Sequence, residues 1–191
     1  MHRLSKETLG ASLPLYALGA IFFVPLSIGV LLVSTDANLN EHANQISRDI
    51  ASMYAQGVDF GQASNQSIAI NVAENMGMQI RDGKGVLILS KVRLVHNGDC
   101  TGASARQCAN EGRPVITQRY VIGNETLLQS SLGTPRYVDP QSGDVANWPS
   151  DVSARARDFS TTLKAGESSY VAECYMVTPE QRSGVYSRAM F

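Results

Sequence analysis

Residues 8–35 carry no charged side chain: Thr-Leu-Gly-Ala-Ser-Leu-Pro-Leu-Tyr-Ala-Leu-Gly-Ala-Ile-Phe-Phe-Val-Pro-Leu-Ser-Ile-Gly-Val-Leu-Leu-Val-Ser-Thr. An uncharged run of this length leaves a chain few options. A bilayer core of ~30 Å is crossed by ~20 mostly apolar residues in a helix, so the run predicts a transmembrane segment over 11–34. Pro14 and Pro25 each remove a backbone donor, which a membrane helix tolerates. Arg3, Lys6 and Glu7 precede the run; Asp36, Glu41 and Asp49 follow it. That asymmetry places the N-terminus in the cytoplasm and everything after Ser34 across the membrane.

Three readings of the run compete. A cleaved secretory signal has an apolar core of about 7–15 residues and a small-x-small cleavage site. This run is longer, and Ser34-Thr35-Asp36-Ala37 is a poor site. A permanent anchor and a segment cut on its cytoplasmic side both remain open.

The helix is expected to continue past the apolar run. Leu39, Ala43, Ile46, Ile50 and Met53 recur at alternating steps of four and three, which keeps them on one face of a helix. Gly57 is the natural stop. Apolar run and amphipathic stem together predict one helix, roughly 70 Å long at ~1.5 Å per residue. The implied organisation is a short basic leader over 1–10, the apolar segment over 11–34, a stem over 35–57 and an extracytoplasmic head over 58–191.

Lys and Arg number 16 against 17 Asp and Glu, so charge makes no case for nucleic acid as a partner. Sparse charge with plentiful Ser, Asn, Gln and Gly suits an exported polar surface. Cys100 and Cys108 could close the short loop between them in an oxidising compartment, leaving Cys174 over; three free thiols are the alternative. Three cysteines at this spacing do not match the usual zinc ligand spacing.

In the head a helix is expected over 67–75, with Ile68, Val72 and Met76 on one side and Gly77 at its end. A turn at 82–85 leads to a strand over 86–95, with Ile88, Val92 and Leu94 on one face and Lys91 and Arg93 on the other. A second strand over 114–122 makes a hairpin whose long tip, 96–113, is poor in apolar residues and would be stapled by the cysteines. Residues 134–149, rich in Pro, Gly, Asp and Asn, are loop. Ser150 caps an expected short helix from 151 to about 163. Strands over 169–177 and 184–191 close the chain.

No catalytic constellation stands out, and neither a cofactor nor a metal site is expected. His2, His42 and His96 read as solvated rather than catalytic. No serine sits in a Gly-x-Ser-x-Gly elbow, and Gly83-Lys84-Gly85 is no phosphate loop because no helix with Lys-Ser/Thr follows. Residues 139–144 lack the alternating oxygen ligands and closing Glu of a calcium loop. The triplets at Asn65 and Asn124 match glycosylation acceptors that are common by chance. Glu7 reads as an interfacial charge and Glu173 as solvent exposure at a sheet edge.

The order of a short basic leader, a glycine, an uncharged helix and an amphipathic stem resembles type IV pilin-like subunits. In these a prepilin peptidase cuts after the glycine, here between Gly10 and Ala11. Leu15 stands where such subunits usually carry a glutamate, five residues after the glycine. Tyr170-Val-Ala-Glu-Cys-Tyr-Met-Val-Thr-Pro179 resembles the Glu-x-Tyr, then Thr-Pro strand of the TadE-like minor pseudopilins of tight-adherence pili, through Glu173, Tyr175, Thr178 and Pro179. The closing Ser-Arg-Ala-Met-Phe191 is similar to their terminal strand, residues 44–54 to their post-membrane helix, and residues 86–94 to their first strand.

The resemblance implies an α+β fold, in which a long N-terminal transmembrane helix continues into a stem packed on a small antiparallel β-sheet head. It implies a non-enzymatic minor subunit that primes assembly or sits at a tip. Its partners would be other pilin-like subunits, an inner-membrane assembly platform and the prepilin peptidase. The subunit would sit in a bacterial inner membrane with a periplasmic head, or outside the cell in a pilus. The rival class is a single-pass, membrane-anchored binding or sensor module acting through a partner.

Overall fold

The computed structural model describes residues 7–75, 80–100, 108–159, 162–177 and 184–191, and within the first helix the side chains at 21–28, 38 and from 40 onward. Helix α1 runs Glu7–Ala55, and the chain divides into two compact units, Met1–Leu39 and Asn40–Phe191. The leader residues 1–6, Met76, Gly77, Thr178 and Pro179 lie outside the described residues, as do the side chains of Glu7, Ala11, Leu15 and Leu39.

In the first unit, Ile21, Phe22, Phe23, Val24, Leu26 and Ile28 are 52–72% exposed. Ser27 Oγ donates back to the Val24 carbonyl at 2.9 Å. Among the described residues no helix is long and apolar enough to cross a membrane. The transmembrane helix expected over 11–34 is thereby overturned.

The second unit is built on a four-stranded antiparallel sheet in the order β2-β1-β3-β4: β1 Gly85–Leu94, β2 Pro114–Gly123, β3 Ser168–Met176 and β4 Val185–Met190. Strands β1 and β2 form the expected hairpin, with Leu89 opposite Tyr120 and a bulge at Lys91/Val92. Strand β3 pairs β1 with Leu87 opposite Cys174, and β4 pairs β3 with Ser187 opposite Cys174. β1 and β3 are central strands, and Val86–Leu89 and Val171–Cys174 are buried on both faces.

One sheet face receives the end of α1. Ala43, Ile46 and Ile50 of the expected stem face are fully buried, and so are Ser47 and Ala51, whereas Met53 is half-buried. Ser187 Oγ donates to Asn44 Oδ1 at 2.7 Å. Tyr54 packs edge-on against Phe60, Tyr120 and Tyr170 and donates its hydroxyl to Gln118 Oε1 at 2.9 Å. The helix stops where Gly57 takes φ +90°: its N–H bonds the Tyr54 carbonyl and the Val58 N–H bonds that of Met53.

Helix α2 is Ala63–Asn75, starting earlier than the periodicity predicts. It buries Ala69 and Ala73, while Ile68, expected on the packed side, is 45% exposed. The small alanines allow close approach; the larger Ile68 points away.

The helix expected from Ser150 to about Leu163 does not form. A single 3-10 turn, Val152–Ala154, is capped by Asp151, whose carboxylate accepts from Ser153 N at 2.8 Å. Ser150 Oγ is buried with no hydrogen-bond partner. The chain then straightens because its backbone finds acceptors across the fold. Arg155 bridges Val115, the Ala156 N–H reaches the Pro114 carbonyl, and the Arg157 N–H that of Leu132. Ala154 and Leu132 are buried with Val92, Val115, Ile116 and Val171 in the core of the other sheet face.

Candidate functional site

The chemistry-bearing residues concentrate on the sheet face away from α1. Glu173 sits mid-strand on β3 and Arg119 mid-strand on β2, pointing to the same side as Ser90 of β1. Glu173 and Ser90 are 0% exposed and Arg119 is 5% exposed. Glu173 is therefore not an edge residue facing solvent. β3 lies inside the sheet, and the segment around Ser130–Leu132 covers it.

The carboxylate is saturated. Oε1 accepts from the Ser131 N–H at 2.9 Å, Ser131 Oγ at 2.6 Å and the Tyr186 hydroxyl at 3.0 Å; Oε2 accepts from Ser130 Oγ. Arg119 donates to Ser90 Oγ at 3.0 Å, to Ser130 Oγ at 3.0 Å and to the Gly133 carbonyl. Arg188 reaches Ser131 Oγ at 3.2 Å and the Asp158 carbonyl at 3.2 Å. Burial pulls the Arg119 guanidinium down to about 10, partly offset by the Glu173 charge. Burial beside Glu173 raises the Tyr186 phenol.

Chemically this is a latch. The serine protons point at Glu173, so neither hydroxyl is presented as a nucleophile, and no histidine joins the network. What the network achieves is docking of an irregular segment onto the sheet: Ser130 Oγ accepts from Arg119 and donates to Glu173, so the two buried charges meet through a serine rather than directly. Tyr175, the other residue of the Glu-x-Tyr pattern within the described residues, lies on β3 opposite Tyr186, its ring over Gly184. A Cβ at Gly184 would fall 2.3 Å from that ring, so glycine is required there.

The hairpin tip carries the Cys100–Cys108 disulfide, with Cα atoms 5.6 Å apart, and Cys174 is free and buried. The tip has a second anchor. Buried Asn110 donates to the Trp148 carbonyl at 2.8 Å and the Asp151 carbonyl at 2.7 Å, and accepts from Arg155 Nε at 2.8 Å. Nearby, Asp99 pairs with Arg93 at 3.0 Å and with His96.

The remaining polar motifs are occupied by local structure. Asp139 Oδ1 accepts from the Gln141 and Ser142 N–H groups, which lowers its carboxyl below the usual range. Asn124 caps a 3-10 turn through Thr126 and donates to the Gly83 carbonyl. Among the described residues no group of three His, Cys, Asp or Glu could hold a metal ion.

Gly10 and Leu15 fall within the backbone of α1. Sequence reasoning missed Arg119, Ser130 and Ser131 as partners of Glu173. The available signal was the apolar character of Val171, Ala172 and Cys174 on both sides of Glu173, which marks a strand buried on both faces and hence a buried acid in need of partners. No family model, no curated protein and no solved structure matches the chain.

Proposed function

We propose that the chain is a minor pilin-like subunit of a tight-adherence type filament. Its first helix packs against the helices of neighbouring subunits, and its head governs what adds next. The observation that carries this reading is the apolar stretch of α1, where Ile21, Phe22, Phe23, Val24, Leu26 and Ile28 all stand at least half exposed. A helix that is apolar all round is stable only when covered. Burying these six side chains would supply roughly 9–18 kcal/mol gross at about 1.5–3 kcal/mol each, ample to offset the cost of association. Like helices from adjacent subunits are the cover the reading requires. The Cys100–Cys108 bridge supports an oxidising, extracytoplasmic setting for the head. The saturated Glu173 latch supports a structural rather than an enzymatic role.

Charged substitution of Phe22 and Phe23 to Asp tests the reading. Wild-type chain should co-sediment with its partner subunits and enter filaments. The double variant should remain unassembled while its head keeps the native fluorescence of Trp148. Normal incorporation of the variant refutes the proposal. N-terminal sequencing of the assembled protein should begin at Ala11.

A further inference from the structure

The geometry points to a polyanion site in the head, a cleft of about 330 Å³ lined by Arg113, Pro114, Val152, Arg155, Ala156 and Arg157. The site is independent of the filament reading. Val115 bridges Arg155 in antiparallel sense, and the Ala156 N–H bonds the Pro114 carbonyl. Arg113 and Arg157 flank this short pairing, which ends there: the Arg157 N–H bonds the Leu132 carbonyl and the Arg113 N–H that of Asn110.

Among the described residues several other arginines of the head meet acids or carbonyls, the exposed Arg136 excepted. Arg81 pairs with Glu74 and Arg93 with Asp99, and Arg119 and Arg188 belong to the Glu173 network. Among the described residues, no acidic side chain lines the cleft or forms an ion pair with Arg113, Arg155 or Arg157. Arg155 is also held in place. Its Nε donates to Asn110 Oδ1 at 2.8 Å and its Nη2 to the Ala109 carbonyl at 2.9 Å, which orients the guanidinium plane and leaves Nη1 for another acceptor.

Three arginines line one cleft, one with its guanidinium held in place, and their side chains suit the fork geometry of carboxylate or phosphate oxygens. The volume exceeds a single oxyanion, and Pro114, Val152 and Ala156 provide an apolar wall. The ligand class is therefore a compact molecule or segment carrying two or more clustered oxyanions. A free small polyanion and an acidic stretch of a protein share that chemistry, and their sizes separate them.

The test is calorimetric titration of the full chain with pyrophosphate, citrate and a hexaglutamate peptide, at low and high salt. Binding of one equivalent that weakens with salt is expected for at least one probe. Arg113→Gln with Arg157→Gln should lower the affinity by about tenfold or more, as expected for loss of charge-assisted bonds. Arg113→Lys with Arg157→Lys, which keeps charge and fold but loses the forks, should fall between. Binding of pyrophosphate or citrate identifies a free polyanion; binding of the peptide alone identifies a protein segment. Absence of binding by all three probes, or equal binding by the Gln variant with Trp148 fluorescence unchanged, overturns the proposal.

Discussion

Glu173→Gln is the sharpest probe of how the head is held together. The substitution keeps shape and one acceptor oxygen but removes the charge. Oε1, with its three donors, can be replaced by the amide oxygen. Oε2 cannot. Ser130 Oγ already accepts from Arg119 Nη2 and from the Leu132 N–H, so an amide NH₂ placed there finds no free lone pair. The variant thus buries an unsatisfied donor and leaves Arg119, 5% exposed, with no counter-charge. Leaving a buried charge uncompensated costs about 3–5 kcal/mol. A domain of this size has about 5–15 kcal/mol in hand. Urea unfolding followed by Trp148 fluorescence should show that loss, and the thermal midpoint should drop by roughly 6–20 °C. Replacing both partners, Glu173→Leu with Arg119→Leu, should recover a substantial part of it, because neither charge is then stranded. A loss below about 1 kcal/mol, or a double variant no better than the sum of its singles, would refute the latch.

Other consequences are as direct. Replacing Cys100 and Cys108 by Ser should cost about 2–3 kcal/mol, the loop-entropy value for a bridge of this short span, read from the same urea curves. Tyr54→Ala should cost about 3–5 kcal/mol, since the ring fills the aromatic cluster at the helix end, whereas Tyr54→Phe, which loses only the bond to Gln118, should cost about 1 kcal/mol. Gly184→Ala should destabilise by about 1–3 kcal/mol through overpacking against Tyr175. Burial pushes the Cys174 thiol up to about 12, so its contribution is whole below the ordinary thiol range and is lost as pH climbs toward that value. Tyr54, Tyr120 and Tyr186, also raised by burial, join the fall as pH nears 10, and Arg119, lowered to about 10, opposes it above, so the thiol leads only in the lower part of the window from about 9 to 10. Stability should fall across that window, and Cys174→Ala should flatten the slope.

The strands were legible because local pattern and tertiary role agree in them. Residues 86–95 and 169–177 are β-branched and apolar, and β1 and β3 lie within a residue or two of those limits. The stem was legible for the same reason: Ala43, Ile46 and Ile50 recur at helical spacing because one face meets the sheet. Where pattern and role part, the reading failed. Residues 151–163 look helical by composition, yet the carbonyls of Pro114 and Leu132 supply bonds that an isolated segment would have to make within itself. Periodicity counts only what a segment can do alone.

Glu173 fails in the complementary way. A carboxylate in a strand reads as exposed, because burial without a partner is prohibitive. Its partners come from Ser130 and Ser131, some forty positions upstream, and from Arg119, so no local window contains them. The same long-range logic applies to Arg113 and Arg157, which lie far apart in the sequence and acquire meaning only because the Val115–Arg155 bridge brings their segments to one cleft. Polar chemistry in this chain is assembled between segments, whereas its apolar architecture is written within them. Buried charges joined through serines and arginines gathered at one cleft are therefore where a structure adds most to a sequence whose strands already declare themselves.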